Sequence, residues 1–524
     1  MAMPGWRKPF SVLAFAACVG AALIGLDLLA RHQLQVQFDR AAADTLGPLL
    51  HGQTSHRWSA SRSTDIIAGR AFDSESARFD DDGMHVRAAD RAFEVGLVLT
   101  GLVDLNRYPR FEARFQSPAS GTLSLIVAEA PDAPPCRSGE TRFDKHATRI
   151  RFNLDEIRWD CGDSDIRAPQ RAALLRLHVS VPAGSEFILG SADLRPSTPL
   201  TLAALDHLAL PILPSPRQPY QLDRALGRIA SDSSNESVTI VQLPLDGRVE
   251  EVLAARDHIL DVVPDTVIVA KDGFPRVSAL AKAWDANASD RSTSGLSWIW
   301  VGLLAVVLLG IRLKPPLGLR SRSSIELCGA LAAPVVLIGG GHIGDDISLP
   351  VVTAGALTFA YAISLLFGDA PAQPTTRTLK RGWWVALASL ALAAGLILLA
   401  NKGHLAIDPP TAQHALRYLA WAAAQQFLIC VIVAGRLEKL IGSQPWALLI
   451  AALTFALLHT PNAMLMQLTF IGALIWIWNW QRHRALLANI IAHTASGLLL
   501  TANLPPHWLH SAEISARYFL IGTP

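Results

Sequence analysis

Apolar residues run almost unbroken from Phe10 to Ala30 and return in eight blocks between residues 297 and 502, while the stretch between is polar and interrupted by turn residues. The first run follows Trp6-Arg7-Lys8 and has no small-x-small site at its end. It reaches the roughly 20 residues that a helix needs to cross a bilayer, so it reads as an uncleaved anchor. The later blocks lie near 297–313, 324–341, 350–367, 383–400, 413–434, 446–461, 463–480 and 485–502. The pattern predicts a polytopic α-helical membrane protein of about nine spans, with the long polar region folded outside the membrane.

Charge orients this pattern. Lys314, Arg320 and Arg322 follow the second span, Arg377, Lys380 and Arg381 the fourth, Arg436 and Lys439 the sixth, and Arg482 and Arg484 the eighth. The alternate loops, Gly339–Pro350 and Asn401–Gln413, carry one cationic side chain between them, Lys402. Cationic loops stay in the cytoplasm, which places the N-terminus there and the polar region outside a cell inner (cytoplasmic) membrane, on its periplasmic side. Hydrophobic residues make up 51% of the 524 residues, charged residues only 17%, and the net charge is +2. The expected surroundings are lipid, and no nucleic-acid partner is indicated.

Within the external region the period changes. Phe93–Leu99, Arg110–Phe115, Thr122–Val127, Arg149–Phe152 and Leu175–Val181 alternate apolar and polar positions between Pro, Gly, Asp and Ser. This predicts an antiparallel sandwich, jelly-roll-like in architecture. Trp58 and Trp159 are either core packing or platforms for an envelope glycan. Cys136 and Cys161 are the external cysteines, and a lone pair in an oxidising compartment is a disulfide candidate. From about residue 202 to 287, strand-like Val238–Leu243 and Thr266–Ala270 mix with helical spacing in Gln221–Ala230, Val249–Leu260 and Val277–Trp284, predicting a small α/β domain without a phosphate-binding loop. The expected organisation is an N-terminal anchor over 1–33, a sandwich over 34–196, an α/β domain over 197–296, membrane helices over 297–401, and a membrane core with an external tail over 402–524.

Three short motifs then appear in order on separate spans: Ala424-Gln425-Gln426-Phe427-Leu428-Ile429-Cys430, Phe455-Ala-Leu-Leu-His459, and Asn489-Ile-Ile-Ala-His493-Thr-Ala-Ser-Gly497. Together, over about Tyr418 to Leu500, they resemble the CPBP family of CAAX proteases and bacteriocin-processing enzymes, whose pattern is Glu-Glu-xxx-Arg, Phe-xxx-His and His-xxx-Asn. The second motif matches. The first has glutamines for both glutamates and Cys430 for the arginine, and the third has Gly497 for the asparagine. The resemblance implies a CPBP-like helical core, with the water-activating position on Gln425 and Gln426, assistance from His459 and His493, and oxyanion stabilisation at Gly497.

Read by themselves, these residues set limits on the chemistry. Polar side chains in a bilayer turn inward, and Gln425, His459 and His493 fall at overlapping depths, so they are expected to face one cavity; the alternative is packing glue between helices. A glutamine amide can orient water but cannot take its proton. From Pro409 to Ser511 the only acidic residue is Glu438, which sits beside Arg436 and Lys439 and reads as a solvated loop charge. A histidine base or a Cys430 nucleophile are the remaining routes to catalysis. Two histidines with no carboxylate make a poor metal site, and no metal or cofactor is expected. Three functions follow: an envelope endopeptidase acting on a transmembrane or C-terminal hydrophobic peptide segment, a silent relative that binds such a segment as an immunity or chaperone protein, and a glycan-binding assembly protein.

Overall fold

The computed structural model describes residues 9–51, 53–54, 56–99, 101–130, 133–162, 168–196, 200–201, 205, 210–232, 238–284, 294–314, 318–339, 349–365, 376–404 and 411–519. The basic Trp6-Arg7-Lys8, the loop segments 340–348 and 405–410, and the end of the tail lie outside these. The chain divides into two compact units, one made of residues 1–34, 248–254 and 291–520, the other of 35–247, 255–290 and 521–524.

In the second unit the alternating runs form two antiparallel sheets. One has the order β11 (Arg149–Asn153), β7 (Arg110–Gln116), β15 (Glu186–Arg195), β4 (Gly83–Ala88) and β3 (Ser74–Asp80), with β1 (Arg57–Trp58) also on β15. The other has the order β12 (Trp159–Asp160), β9 (Cys136–Ser138), β8 (Gly121–Ala128), β14 (Leu174–Ser180), β5 (Ala92–Leu97) and β2 (Ile66–Phe72), with β10 (Thr141–Phe143) on β8. Their inward residues make one core, in which Phe115 stacks on Phe187 while Phe93 and Phe143 meet Phe187 at tilted angles. Period-two alternation produces this directly, because every second side chain of each strand faces the opposing sheet. Cys136 and Cys161 are joined as a disulfide, with Cα atoms 4.0 Å apart, beside the β9–β12 pairing.

Trp58 and Trp159 are core residues, not sugar platforms. They are 5% and 3% exposed, and their indole N–H groups donate to the carbonyls of Val98 and Leu154. A buried indole stays in place when its one donor is satisfied, which leaves no face for a ligand.

The α/β part consists of α2 (Pro219–Asp232), the portion of α3 (Val249–Val262) from residue 255 on, and α4 (Phe274–Lys282), with a parallel pair, Thr239–Leu243 and Thr266–Ala270. A parallel pair requires a crossover, and α3 lies between its strands in sequence. The helix α1 (Pro9–Leu50) extends well beyond the expected anchor. Residues 35–50, expected in the sandwich, are helical because Leu34, Phe38, Ala42, Leu46 and Leu49 repeat at three to four residues; the last three of these pack with Val238, Ile240, Val267 and Val269. Buried Arg107 reaches from the sandwich to the carbonyl of Pro264 and to Thr239 Oγ1, tying the two parts of this unit together.

The first unit is helical: α5 (Ser294–Leu313), α6 (Leu319–Gly339), α7 (Leu349–Ser364), α8 (Thr376–Ala400), α9 (Ala412–Gln426), α10 (Ala434–Ile441), α11 (Gln444–Leu457), α12 (Ala463–His483) and α13 (Leu486–Asn503). A π-helical segment, Phe427–Val433, joins α9 to α10. By length and composition, five described helices can cross a membrane: Val12–Leu50, Arg377–Ala400, Ala412–Ile441, Ala463–His483 and Leu486–Asn503. Trp298–Leu313, Val352–Ser364 and Gln444–Leu457 are apolar but shorter. At 1.5 Å per residue, the last of these spans about 21 Å of a core about 30 Å thick. Several apolar helices make this a multi-pass membrane protein. Ala386 on α8 meets Ala485, Ala488 and Ala492, small side chains that let α8 and α13 approach closely.

Arg436, counted among the loop cations that follow the sixth span, does not lie in a loop. It is instead buried on α10, with Nε 2.6 Å from Glu326 Oε2, while Glu326 Oε1 accepts from Arg322 Nε at 2.8 Å. Two cations hold one carboxylate, which is what makes burial of these charges tolerable.

Candidate functional site

The three motifs converge where the π-helical segment begins. Gln426 is fully buried, and its Nε2 lies 3.2 Å from His493 Nδ1, while its Oε1 accepts from the Cys430 thiol at 3.2 Å. The four-residue spacing from Gln426 to Cys430 brings those two side chains together, as successive turns of a helix do. Gln425 is only part-buried and takes no part in this chain of bonds.

His459 lies just past the end of α11. Its Nδ1 is 2.8 Å from the carbonyl of Phe455, so that nitrogen carries the proton and a neutral ring keeps its lone pair on Nε2. The other histidine has the opposite arrangement. With the thiol donating to Gln426 Oε1, the amide N–H of Gln426 donates to His493 Nδ1, which leaves the His493 proton on Nε2. Phe455 stands between the histidines, edge-on to both, with centroid distances of 4.8 Å to His459 and 5.9 Å to His493. One acceptor ring and one donor ring therefore flank a single phenyl group.

Trp476, Asn479 and Asn462, which the motif reading passed over, hold this cluster together with Asn489 of the third motif. Trp476 stacks on His493 at 4.6 Å and 24°. Asn489 donates to the carbonyl of Trp476 at 2.7 Å and accepts from Asn479 Nδ2 at 2.7 Å, and Asn479 also donates to the carbonyl of Gly382 at 3.0 Å. Asn462 caps α12 by accepting from Leu465 N and donates to the carbonyls of Ser511 and Glu513, which fixes the turn carrying His459. A signal existed in the sequence: Asn479 is an amide that follows the apolar run Phe470–Trp478, and such residues mark interior contacts.

Gly497 is one turn beyond His493 on α13. A Cβ there would collide with the Tyr418 hydroxyl, so the tyrosine occupies the volume that any larger residue at 497 would need. Tyr418 also presents its ring edge-on to His493 at 6.4 Å.

Cys430 bonds to an amide rather than to a histidine, an arrangement unlike an activated nucleophile–base pair. Glu438 accepts from Gln444 Nε2 at 2.8 Å and Glu326 is held by arginines, so each carboxylate already has a partner. Among the described residues no group of three or more His, Cys, Asp or Glu side chains is arranged to hold a metal ion. Gln426, Cys430, Asn489 and His493 form a hydrogen-bonded set that His459 joins through the Phe455 ring, and no carboxylate belongs to this cluster.

Residues 373–499, which contain this whole cluster, match the family model described as type II CAAX prenyl endopeptidase Rce1-like. No curated protein matches the chain.

Proposed function

We propose that this CAAX-protease-like membrane protein holds a membrane-embedded peptide segment against the Gln426–His493 cluster without hydrolysing it, as a silent relative of the endopeptidases. The observation that supports this reading is the Gln426 amide. Both of its ends are engaged, one with Cys430 and the other with His493, and it stands where a proton acceptor would be needed. An amide has no basic site at neutral pH, so activated water has no carboxylate to leave its proton on. The neutral donors and acceptors that remain suit the peptide groups of an unwound segment, which lose water when they enter lipid.

The runner-up is an endopeptidase of altered mechanism that processes an exported or membrane-anchored protein. It is favoured by the tautomer of His459, whose free Nε2 lone pair is a base in the right neighbourhood. In both readings the protein sits in the inner membrane with its jelly-roll-like sandwich outside, supported by the basic loops. A reporter inserted at Asp246 checks that placement, and activity on the cytoplasmic side would reverse it.

One experiment separates the readings. Purified protein in lipid nanodiscs is incubated with a labelled peptide carrying a C-terminal hydrophobic helix, and both retention and cleavage are followed. Retention without cleavage, weakened in His493→Ala, is expected. Cleavage that disappears in His459→Ala would establish the endopeptidase, and absence of both retention and cleavage would remove both.

A further inference from the structure

The outer face of the first sheet carries a second feature, separate from the membrane cluster. Phe111, Ala113 and Phe115 of β7 point into the core, which turns Arg110, Glu112 and Arg114 the other way; on β11, Ile150 and Phe152 go in while Arg149 and Arg151 go out. Arg195 of β15 lies opposite Arg110. Five guanidinium groups thus share a face with two carboxylates, Glu112 and Asp193. Asp193 is bound by Arg195 at 2.6 and 3.1 Å. Glu112 is 4% exposed, with Oε2 accepting from Arg151 at 2.8 Å and Oε1 lying 3.5 Å from Arg149, 3.8 Å from Arg114 and 3.9 Å from Arg195, without a hydrogen bond.

Arg114 and Arg149 are direct cross-strand partners, and their side chains are 60% and 48% exposed. Like charges directly opposite each other weaken a sheet, and this pair has to share the one Glu112 carboxylate with Arg151 and Arg195. With Asp82, Phe115, Gln116, Thr148, Ile188 and Gly190 it lines an open cleft of roughly 480 Å³. That size falls in the usual range for small-molecule clefts. The neighbouring strand is irregular here, with a register shift between Leu189 and Ser191, and such bulges commonly re-aim side chains beside binding sites.

We propose that this cleft binds an acidic saccharide, with the saccharide's oxyanion on Arg114 and Arg149 and its hydroxyls on Asp82, Gln116 and Thr148. The guanidinium fork matches a carboxylate or phosphate through two parallel hydrogen bonds, and an oxyanion between the two arginines relieves their repulsion. The other polar residues choose among anions. Asp82 repels a uniformly charged polyanion but accepts from sugar hydroxyls, and Phe115 is buried at 2% exposure, leaving no aromatic surface for a nucleobase.

The test is calorimetric titration of the full-length protein in detergent with a glucose tetramer ending in a single glucuronate, glucose 6-phosphate, a neutral glucose tetramer and inorganic phosphate. At least one acidic saccharide should bind more tightly than the neutral tetramer and more tightly than phosphate, and which one binds identifies the carboxylate or the phosphate ester as the source of the oxyanion. Arg114→Gln and Arg149→Gln should each weaken binding by about tenfold, as expected for loss of a charge-assisted hydrogen bond. Arg70→Gln, on β2 of the other sheet, should leave it unchanged, and an unaltered melting temperature in each variant excludes misfolding. Failure of both acidic saccharides to bind, equal binding of the neutral tetramer, phosphate binding as tight as that of the sugars, or indifference to both arginine substitutions would each overturn the proposal.

Discussion

Gln426 and His493, 67 positions apart in the chain, meet through a 3.2 Å contact between the amide nitrogen and Nδ1, while Gln425 next to Gln426 stays outside the bonded cluster. The two glutamines are therefore not equivalent. Gln426→Glu would put a carboxylate beside His493, whereas Gln425→Glu would not. If only the base is missing, Gln426→Glu alone should give detectable peptide cleavage and Gln425→Glu alone none. Equal gains from both substitutions, measured with the same labelled peptide, would contradict this geometry.

Gly497 and Tyr418 compete for one volume. Gly497→Ala should lower stability by about 1–3 kcal/mol, the usual cost of overpacking. Gly497→Ala combined with Tyr418→Ala should recover part of the loss, because the obstruction has gone. Unfolding in detergent supplies the measurement, and a cycle showing no coupling between the two positions would contradict the contact.

The buried Arg436–Glu326 pair predicts an asymmetric cost. Glu326→Gln removes the negative charge that Arg436 meets at 2.6 Å and should destabilise the helical unit by about 3–5 kcal/mol. A double change to Glu326→Leu with Arg436→Met should cost less than that single change, since the buried charge of Arg436 goes too and the remaining cation, Arg322, is part-exposed. Thermal unfolding of the three variants decides it.

The disulfide should appear in peptide mapping under non-reducing conditions as a Cys136–Cys161 linkage, with Cys18, Cys328 and Cys430 open to alkylation after unfolding. Removing the bridge with Cys136→Ser and Cys161→Ser should cost the sandwich about 2–4 kcal/mol.

Acid should weaken the arginine face. Burial pushes the Glu112 carboxyl up, but the Arg151 hydrogen bond and the charges of Arg195, Arg151 and Arg149 outweigh it and hold the group below its ordinary range. A carboxylate depressed in the folded state contributes stability that is complete above its unfolded value of about 4.3 and is lost as pH falls through the folded value. Sandwich stability should therefore decline below about pH 4, and Glu112→Gln should flatten that part of the profile. A profile unchanged by Glu112→Gln would show that the carboxylate carries none of this dependence.

The sequence by itself determined the elements and their environments. Period-two runs such as Arg110–Phe115 and Leu175–Val181 could bury one face only as strands, and long apolar runs could satisfy their backbone in lipid only as helices. It also determined that the membrane motifs carry no glutamate, because that is a matter of residue identity. Partners across the chain are a different matter. Which glutamine meets His493, that Tyr418 fills the space beside Gly497, that Arg436 is buried against Glu326, and that Arg114 faces Arg149 at a cleft all depend on how elements far apart in sequence pack. Periodicity fixes the face a side chain lies on, and only tertiary packing decides what stands opposite that face.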